Sequence, residues 1–214
     1  MASAGKIAMD AGQRLSFHPG PFNCLASPND VTVAKTSAEL NAHSVQMDLM
    51  GLPVSPRAKI NIHVGGAYGE HDNAMARFCK NYSKLDAGTQ ARLTVENDDK
   101  ASMYSTKMLY HGVSKPTGIP IVFDSHHHDL GPQDSTYQEA FYLARETWQN
   151  RDVKQQCHHS NSKRDYEDPK APKVSHSAWF YTPFENHSED VDVVLECKAK
   201  ELALFKMREL MEDK

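Results

Sequence analysis

Short apolar runs, each closed by a single imidazole or carboxylate, recur along this chain. They are LSFH ending at His18, INIHVGG with His63, RLTVEND with Glu96, IPIVFD ending at Asp124, KQQCHHS with His158, and DVVLE ending at Glu196. Rich in Ile, Val, Leu or Phe and bounded by Gly, Pro or polar residues, each run reads as a buried strand. Helical spacing fills the intervals. A helix is predicted from Ser37 to Leu49 with Leu40, Val45 and Leu49 on its buried stripe, and another over NAMARFCKNYSKL with Met75, Phe78, Tyr82 and Leu85 inward. A weaker one lies around Ser102 to His111. The next opens on a capping box from Ser135 to Gln138 and buries Phe141, Leu143, Ala144 and Trp148. The last spans about Lys198 to Met211, with Ala203, Leu204, Met207 and Met211 at core spacing. Residues before Leu15 read as the end of a helix.

Strand, polar residue, helix, repeated in this way, predicts an α/β fold with a parallel, TIM-barrel-like sheet and all six polar residues on one rim. Six strands are two short of a closed eight-stranded barrel, so an incomplete barrel is expected, with two βα units (roughly 60–80 residues) lying upstream. Its open edges call for a complementing N-terminal segment or self-association. Residues 1–214 are expected to form one domain, in which the polar stretch from Asn161 to Lys173 is an exposed loop or flap.

Composition narrows the picture further. With 39% hydrophobic residues and no window long enough to span a bilayer, a soluble protein is expected. The N-terminus lacks the apolar core of a secretory signal. Cys24, Cys79, Cys157 and Cys197 are scattered without a C-x-x-C pair and read as reduced thiols in or near the core of a cytoplasmic protein. A net charge of −4 argues mildly against a nucleic-acid partner. Three divalent cations on the rim would add about six positive charges, so nucleic acid stays open.

His, Asp and Glu converging on one rim suit divalent metals, which makes metal-assisted hydrolysis the leading chemistry. Each residue also has an ordinary reading. FDSHHH, which offers Asp124 and His127 with His126 and His128 turned elsewhere, is otherwise a surface histidine cluster. His63 is otherwise a satisfied core histidine, Glu96 a partner of Lys100 or Arg92, and Glu196 a partner of Lys198 or Lys200. His18 could cap a turn, and His176 lies outside the strand series. The repeated placement at strand ends carries the joint reading.

Through HPGPFNCLASP, INIHVGGAYGE, LTVENDD, FDSHHH and VVLECKAKE, in this order from about Gln13 to Leu204, the chain resembles the UV damage endonuclease family. The resemblance implies a metal-bearing βα barrel of the xylose-isomerase-like group that nicks duplex DNA 5′ of ultraviolet photoproducts and leaves a 3′-hydroxyl for excision repair. It assigns His18, His63 and Glu96 to one ion. Glu96 bridges to a second ion, completed by Asp124, His158 and Glu196, and His127 with His176 holds a third. Glu96, Asp124 and Glu196 are the implied catalytic carboxylates; Pro21, Phe22 and Tyr68 are the implied contacts to UV-damaged DNA. Manganese is the implied metal, although zinc or magnesium also suits mixed His/carboxylate ligands. Two positions depart from the family pattern. The H-P-G-Q-Y loop reads His18-Pro19-Gly20-Pro21-Phe22, and the lysine two positions before the His158 equivalent is Gln156. Two alternatives stay open: a shortened, non-catalytic lesion-binding fragment, and sugar-isomerase chemistry by fold analogy.

Overall fold

The structure, a computed structural model, describes residues 1–212, with side chains through Glu209. Five parallel strands form one sheet in chain order: β1 (Ile60–Ile62), β2 (Leu93–Glu96), β3 (Ile121–Asp124), β4 (Gln156–His159) and β5 (Asp192–Leu195). The sixth predicted run contributes a single parallel bridge, Phe17 to Ile60, closed by Phe17 N–H to Lys59 O (3.0 Å) and Asn61 N–H to Phe17 O (2.9 Å). The result is the expected incomplete barrel, a curled half-barrel. Arg14, next to that bridge, reaches β5 with an ion pair to Asp192 (2.7 Å) and a hydrogen bond to the Lys154 carbonyl (3.0 Å). It thereby ties the first run of the sheet to the last.

Helices pack on the outer face. They are α1 (Ala2–Asp10), α2 (Asp30–Leu49), α3 (His71–Tyr82), α4 (Ala87–Arg92), a continuous helical stretch of α5 (Thr106–Leu109), a wider π-type turn (Tyr110–Ser114) and α6 (Lys115–Thr117), then α7 (Ser125–Leu130), α8 (Tyr137–Glu146), α9 (Lys163–Tyr166) and α10 (Glu201–Glu212). Strand side chains alternate between faces. Ile60, Ile62, Leu93, Val95, Ile121, Phe123 and Cys157 point outward into the core shared with Leu40, Met47, Phe78, Leu109 and Phe141. Their neighbours Asn61, Thr94, Glu96, Gln156 and His158 are buried on the other face, so the inside of the half-barrel is polar.

Several helix details differ from expectation. Asn29 caps α2, its Oδ1 accepting from the N–H groups of Val31 (2.9 Å) and Thr32 (3.2 Å), and so the helix starts at Asp30, ahead of Ser37. Val45 and Leu49 face solvent; the inward stripe is Thr36, Leu40, Ser44 and Met47. Small residues are needed there because α4 approaches closely: a Cβ on Gly88 would sit 3.1 Å from Ser44 Oγ. The third helical stretch lies at 106–117, not 102–111. The capping box belongs to Thr136 and Glu139, one residue beyond the predicted Ser135 and Gln138. Leu143, Leu204 and Tyr82 are only half-buried, and Met211 lies outside the described side chains. Cys24 and Cys157 are buried and Cys79 and Cys197 half-buried, all as free thiols. Among the described residues no helix is long and apolar enough to cross a membrane.

Arg92 locks α2 and α4 to the base of β2. Its fully buried guanidinium donates to Ser44 O (3.2 Å) and Oγ (2.8 Å), Asp48 Oδ1 (2.7 Å), Leu52 O (3.1 Å) and Pro53 O (3.1 Å). Arg92→Met would strand those acceptors and is expected to cost about 3 kcal/mol. Urea unfolding checks this, and a loss under about 1 kcal/mol would remove Arg92 from this role.

Candidate metal centre

Parallel register puts the polar ends of the strands side by side. Glu96 pairs across to Val122, Asp124 to His158, and His159 to Leu195. His63 follows β1 and Glu196 follows β5. His18 follows the Phe17 bridge. Each lies two residues after an inward position, so period-2 alternation turns all six toward the inside of the C-terminal rim. Gly65, with φ +98°, lets the chain after His63 pass against Cys24; a Cβ there would meet Sγ at 2.3 Å.

Glu96 is the hub. It is 0% exposed, and its carboxylate meets His18 Nε2 (3.1 Å), His158 Nδ1 (3.2 Å) and His127 Nδ1 (3.2 Å). Asn61 Nδ2 donates to the same carboxylate, and Thr94 Oγ1 donates to Asn61 Oδ1 (2.7 Å). His158 Nδ1 also lies 3.1 Å from Glu196 Oε1, and His63 Nδ1 lies 3.2 Å from Asp98 Oδ1. Asp124 Oδ1 accepts from His127 N–H (2.8 Å), which caps α7. His127 Nδ1 donates to the Asn97 carbonyl (3.0 Å) and His176 Nδ1 to the Glu196 carbonyl (3.2 Å), so each keeps Nε2 as its unprotonated nitrogen when neutral.

Three groups bring ligand atoms within 4.8 Å of one another: His18, His63 and Glu96; Glu96, Asp124 and His158; and His18, His158 and Glu196. The rings of His127 and His176 lie 6.1 Å apart, beside these groups. Neither Arg92 nor Lys100 takes the Glu96 carboxylate, and Glu196 pairs with His158 and His176 rather than with a lysine.

The donor set fits divalent cations on a feature of its own. Glu96 Oε1, Asp124 Oδ2, His63 Nδ1 and His158 Nδ1 are buried without a hydrogen-bond partner among the described residues. Several of these atoms approach opposite charges at 3.1–3.2 Å but out of hydrogen-bond alignment. Buried groups in such positions need a ligand.

Burial would raise the Glu96 pKa, yet the charge of His158 and the contacts from His127, His158 and His18 hold it well below the usual carboxylate range. Burial opposes the charging of His63, but Asp98 and Glu96 prevail and carry it up to about 9. His127 is likewise raised, by Asp124 and Glu96 against its burial. Glu196 is held near 2 by His158, again against the effect of burial.

Three participants were not singled out from the sequence. Asn61 sits two residues before His63 and thus on the same face, a signal that was available. Asp98 stands in plain view in LTVENDD. Lys59 carried no signal: fully buried inside the half-barrel, its Nζ lies 2.9 Å from His158 Nε2, and burial lowers its pKa to about 8 despite the pull of Glu96. His128 turns outward against Phe123 and Tyr137, as expected, whereas His126 packs edge-on against His176 (5.3 Å between centroids) with Nε2 unpartnered among the described residues.

The rim loops complete the site. Phe22 is 91% exposed at the tip of the Pro19–Phe22 loop. Tyr68 is 52% exposed, and Arg77 lies 5.5 Å from its ring. A cleft of about 360 Å³, lined by Pro19, Pro21, His63, Gly66, Asp98 and His127, connects the loop to the cluster.

A parallel half-barrel with a His/carboxylate cluster on its C-terminal rim defines the class, a candidate metal-site barrel. The chain belongs to the UV-endonuclease UvdE family, whose sequence model matches residues 1–214. It is similar to the UV DNA damage endonucleases of Bacillus cereus strain B4264 (31% identity over 207 residues, 95% of this chain and 63% of the relative) and Bacillus pumilus strain SAFR-032 (33% over 212 residues, 96% and 64%). The UV-damage endonuclease of Neurospora crassa is 29% identical over 97% of this chain and 32% of its own. The chain thus spans less than two thirds of the length of these curated relatives. Among solved structures, the crystal structure of SacUVDE superposes with a TM-score of 0.84 at 28% identity, covering 99% of this chain and 70% of that one. An L-ribulose 3-epimerase (TM-score 0.60, 13% identity, 94% and 67%) shares the fold alone.

Divalent-ion binding is directly testable. Mn²⁺ or Zn²⁺ at a hundredfold excess over Kd is expected to stabilise the protein by about 2.7 kcal/mol, read as a rise in melting temperature that a chelator reverses. Glu96→Ala should lose most of that rise; an undiminished rise would place the ions elsewhere.

Proposed function

We propose that this chain is a metal-dependent endonuclease that nicks duplex DNA immediately 5′ of ultraviolet photoproducts. The observation that carries the reading is Glu96: one fully buried carboxylate shared by His18, His127 and His158 at the centre of the rim, its Oε1 without an aligned hydrogen bond among the described residues. Family membership supports the substrate class. The barrel likeness to epimerases does not bring sugar chemistry with it.

In this reading His18, His63 and Glu96 would hold one divalent ion, Glu96, Asp124, His158 and Glu196 would hold a second, and His127 with His176 would serve a third. Bound divalent ions, most reasonably manganese, supply Lewis-acid polarisation of the scissile phosphate and neutralise charge on the leaving oxygen. The protein's own part is to fix the ligands. Asn61 holds the Glu96 carboxylate, Asn97 and the Glu196 carbonyl orient His127 and His176, and Lys59 orients His158 from inside the barrel. Phe22, fully projecting, is placed to wedge between base steps, as apolar side chains do. Pro21 offers no side-chain hydrogen bond there, so lesion selectivity rests on Phe22 and Tyr68.

The test is a defined duplex carrying one cyclobutane pyrimidine dimer, incubated with protein and Mn²⁺ beside the undamaged duplex. One nick 5′ of the lesion, absent from the control, is expected. Damage-selective binding without a nick would favour a non-catalytic lesion binder of the same fold. Glu96→Ala should abolish nicking, because it dismantles two ligand groups together. Phe22→Ala should weaken binding to the damaged duplex by about tenfold while leaving the metal-induced melting shift intact; equal losses on damaged and intact duplex would reject the wedge.

A further inference from the structure

Charge is unevenly spread around the candidate metal centre. On the β1–β2 side the charges at the surface near Tyr68 and His63 are Glu70, Asp72 and Asp99 with Arg77 and Lys100, while Asp98 is buried against His63. On the β5 side lie the flap, residues 161–182, and helix α10. Over 161–182 and 197–209 eight Lys and Arg face five Asp and Glu, in a chain that carries 24 and 28 overall; between the two windows Glu185, Glu189, Asp190, Asp192 and Glu196 stand without a Lys or Arg, of which Glu189, Asp190 and Asp192 pair with Arg145, Lys154 and Arg14. One of the five acids within the windows, Glu167, is tied into the flap itself. Glu167 Oε1 accepts from Ala178 N–H (2.7 Å), Trp179 N–H (3.2 Å) and Tyr181 O–H (3.1 Å).

The flap and α10 form one surface. Phe180 packs with Ala203 and Met207, the Lys198 N–H donates to Ser177 O (3.1 Å), and the Ala199 N–H to Ala178 O (2.9 Å). Lys206 Nζ lies 5.2 Å from the Trp179 ring and 5.8 Å from Tyr181, which stacks on Tyr166 at 4.7 Å with 8° between planes. This row of aromatic and basic groups begins where His176 and Glu196 enter the metal centre. Lys173, Lys198 and Lys206 are exposed, and among the described residues none is in an ion pair.

Resting on the proposed function, we infer that the flap and α10 form a track for the phosphate backbone of the DNA duplex, on the opposite side of the metal centre from Phe22. Lys173, Lys198 and Lys206 neutralise phosphates there, and the duplex runs from the track across the ions to the Phe22 wedge. The β1–β2 side gathers no such row of cations and leaves that end of the footprint to base and ring contacts. A protein with net charge −4 binds a polyanion because its cations are gathered along one line.

The experiment is fluorescence anisotropy of a labelled duplex, intact and with a single dimer, titrated with the full chain from 50 to 200 mM salt. The triple variant K173E/K198E/K206E is compared with a control of equal charge change, K35E/K80E/K107E, made at exposed lysines on α2, α3 and α5. The track predicts at least tenfold weaker binding of both duplexes by the first variant, with the slope of log K against log salt reduced by about 2.7, three phosphates at about 0.9 each. The control should bind within threefold of the parent. Equal affinity and slope for the two variants would overturn the track while leaving a nicking parent, and hence the endonuclease reading, intact. Absence of duplex binding by the parent would overturn both.

Discussion

A carboxylate with no access to water has to be surrounded by donors or cations, because stranding it unpaired costs several kcal/mol. Glu96 is that carboxylate, and the middle of this molecule is organised around it. His18, His127 and His158 come to it from three different strand ends, and Asn61 comes from the neighbouring strand. None of the four can move alone without exposing the same charge to apolar surroundings. Backbone and chemistry are therefore coupled. The parallel register that sets Asn61 beside Thr94, within side-chain reach of Glu96, and Asp124 beside His158 is also what satisfies the buried charge.

The sheet can carry this load because its two faces have divided labour. Outward positions are Ile, Leu, Val and Phe packed under the helices, and they supply the burial that holds the fold. Inward positions are polar and linked into chains: Thr94 to Asn61 to Glu96, and Lys59 to His158 to Glu96 and Glu196. Such networks rigidify when every member is satisfied and are costly when one is not. The open atoms on Glu96, Asp124, His63 and His158 leave this network one set of partners short. Divalent ions would complete it, so ion binding and local rigidity are two aspects of one event.

How much of this was readable beforehand follows from the same division. The strand-terminal residues stood out because an apolar run ending in one polar side chain is rare in a loop and regular in a parallel barrel. Those runs became β1–β5 and the Phe17 bridge. The interior partners did not stand out. Lys59, Asn61 and Thr94 look like solvent-facing strand positions, since alternation alone cannot tell a polar barrel interior from water. Val45 and Leu49 misled for the converse reason. α2 is held by the close approach of Ser44 to Gly88 and by Arg92, so Thr36 and Ser44 share the inner stripe with Leu40 and Met47 while Val45 and Leu49 stay outside. The capping box falls one residue later because the Glu139 carboxylate accepts from the Thr136 N–H and hydroxyl, a partner that Gln138 does not provide to Ser135.

Gln156 and Lys59 together bear on the departure from the family pattern at β4. Gln156 lies two residues before His158 and therefore on the same inward face, where the family resemblance leads one to expect a lysine. Lys59 sends its Nζ to His158 Nε2 from just before β1, across the inside of the barrel. A basic group thus stands behind His158 although β4 itself supplies none. Its burial depresses its pKa to about 8, with the negative pull of Glu96 and Glu196 opposing that fall. The cost of burying a cation there is offset chiefly by the carboxylates of the candidate metal centre. Any change that removed Glu96 would therefore unsettle Lys59 as well, and through it the orientation of His158. Function and interior packing converge on the same few atoms, which is why the inside of this half-barrel has little freedom to be repacked with apolar side chains.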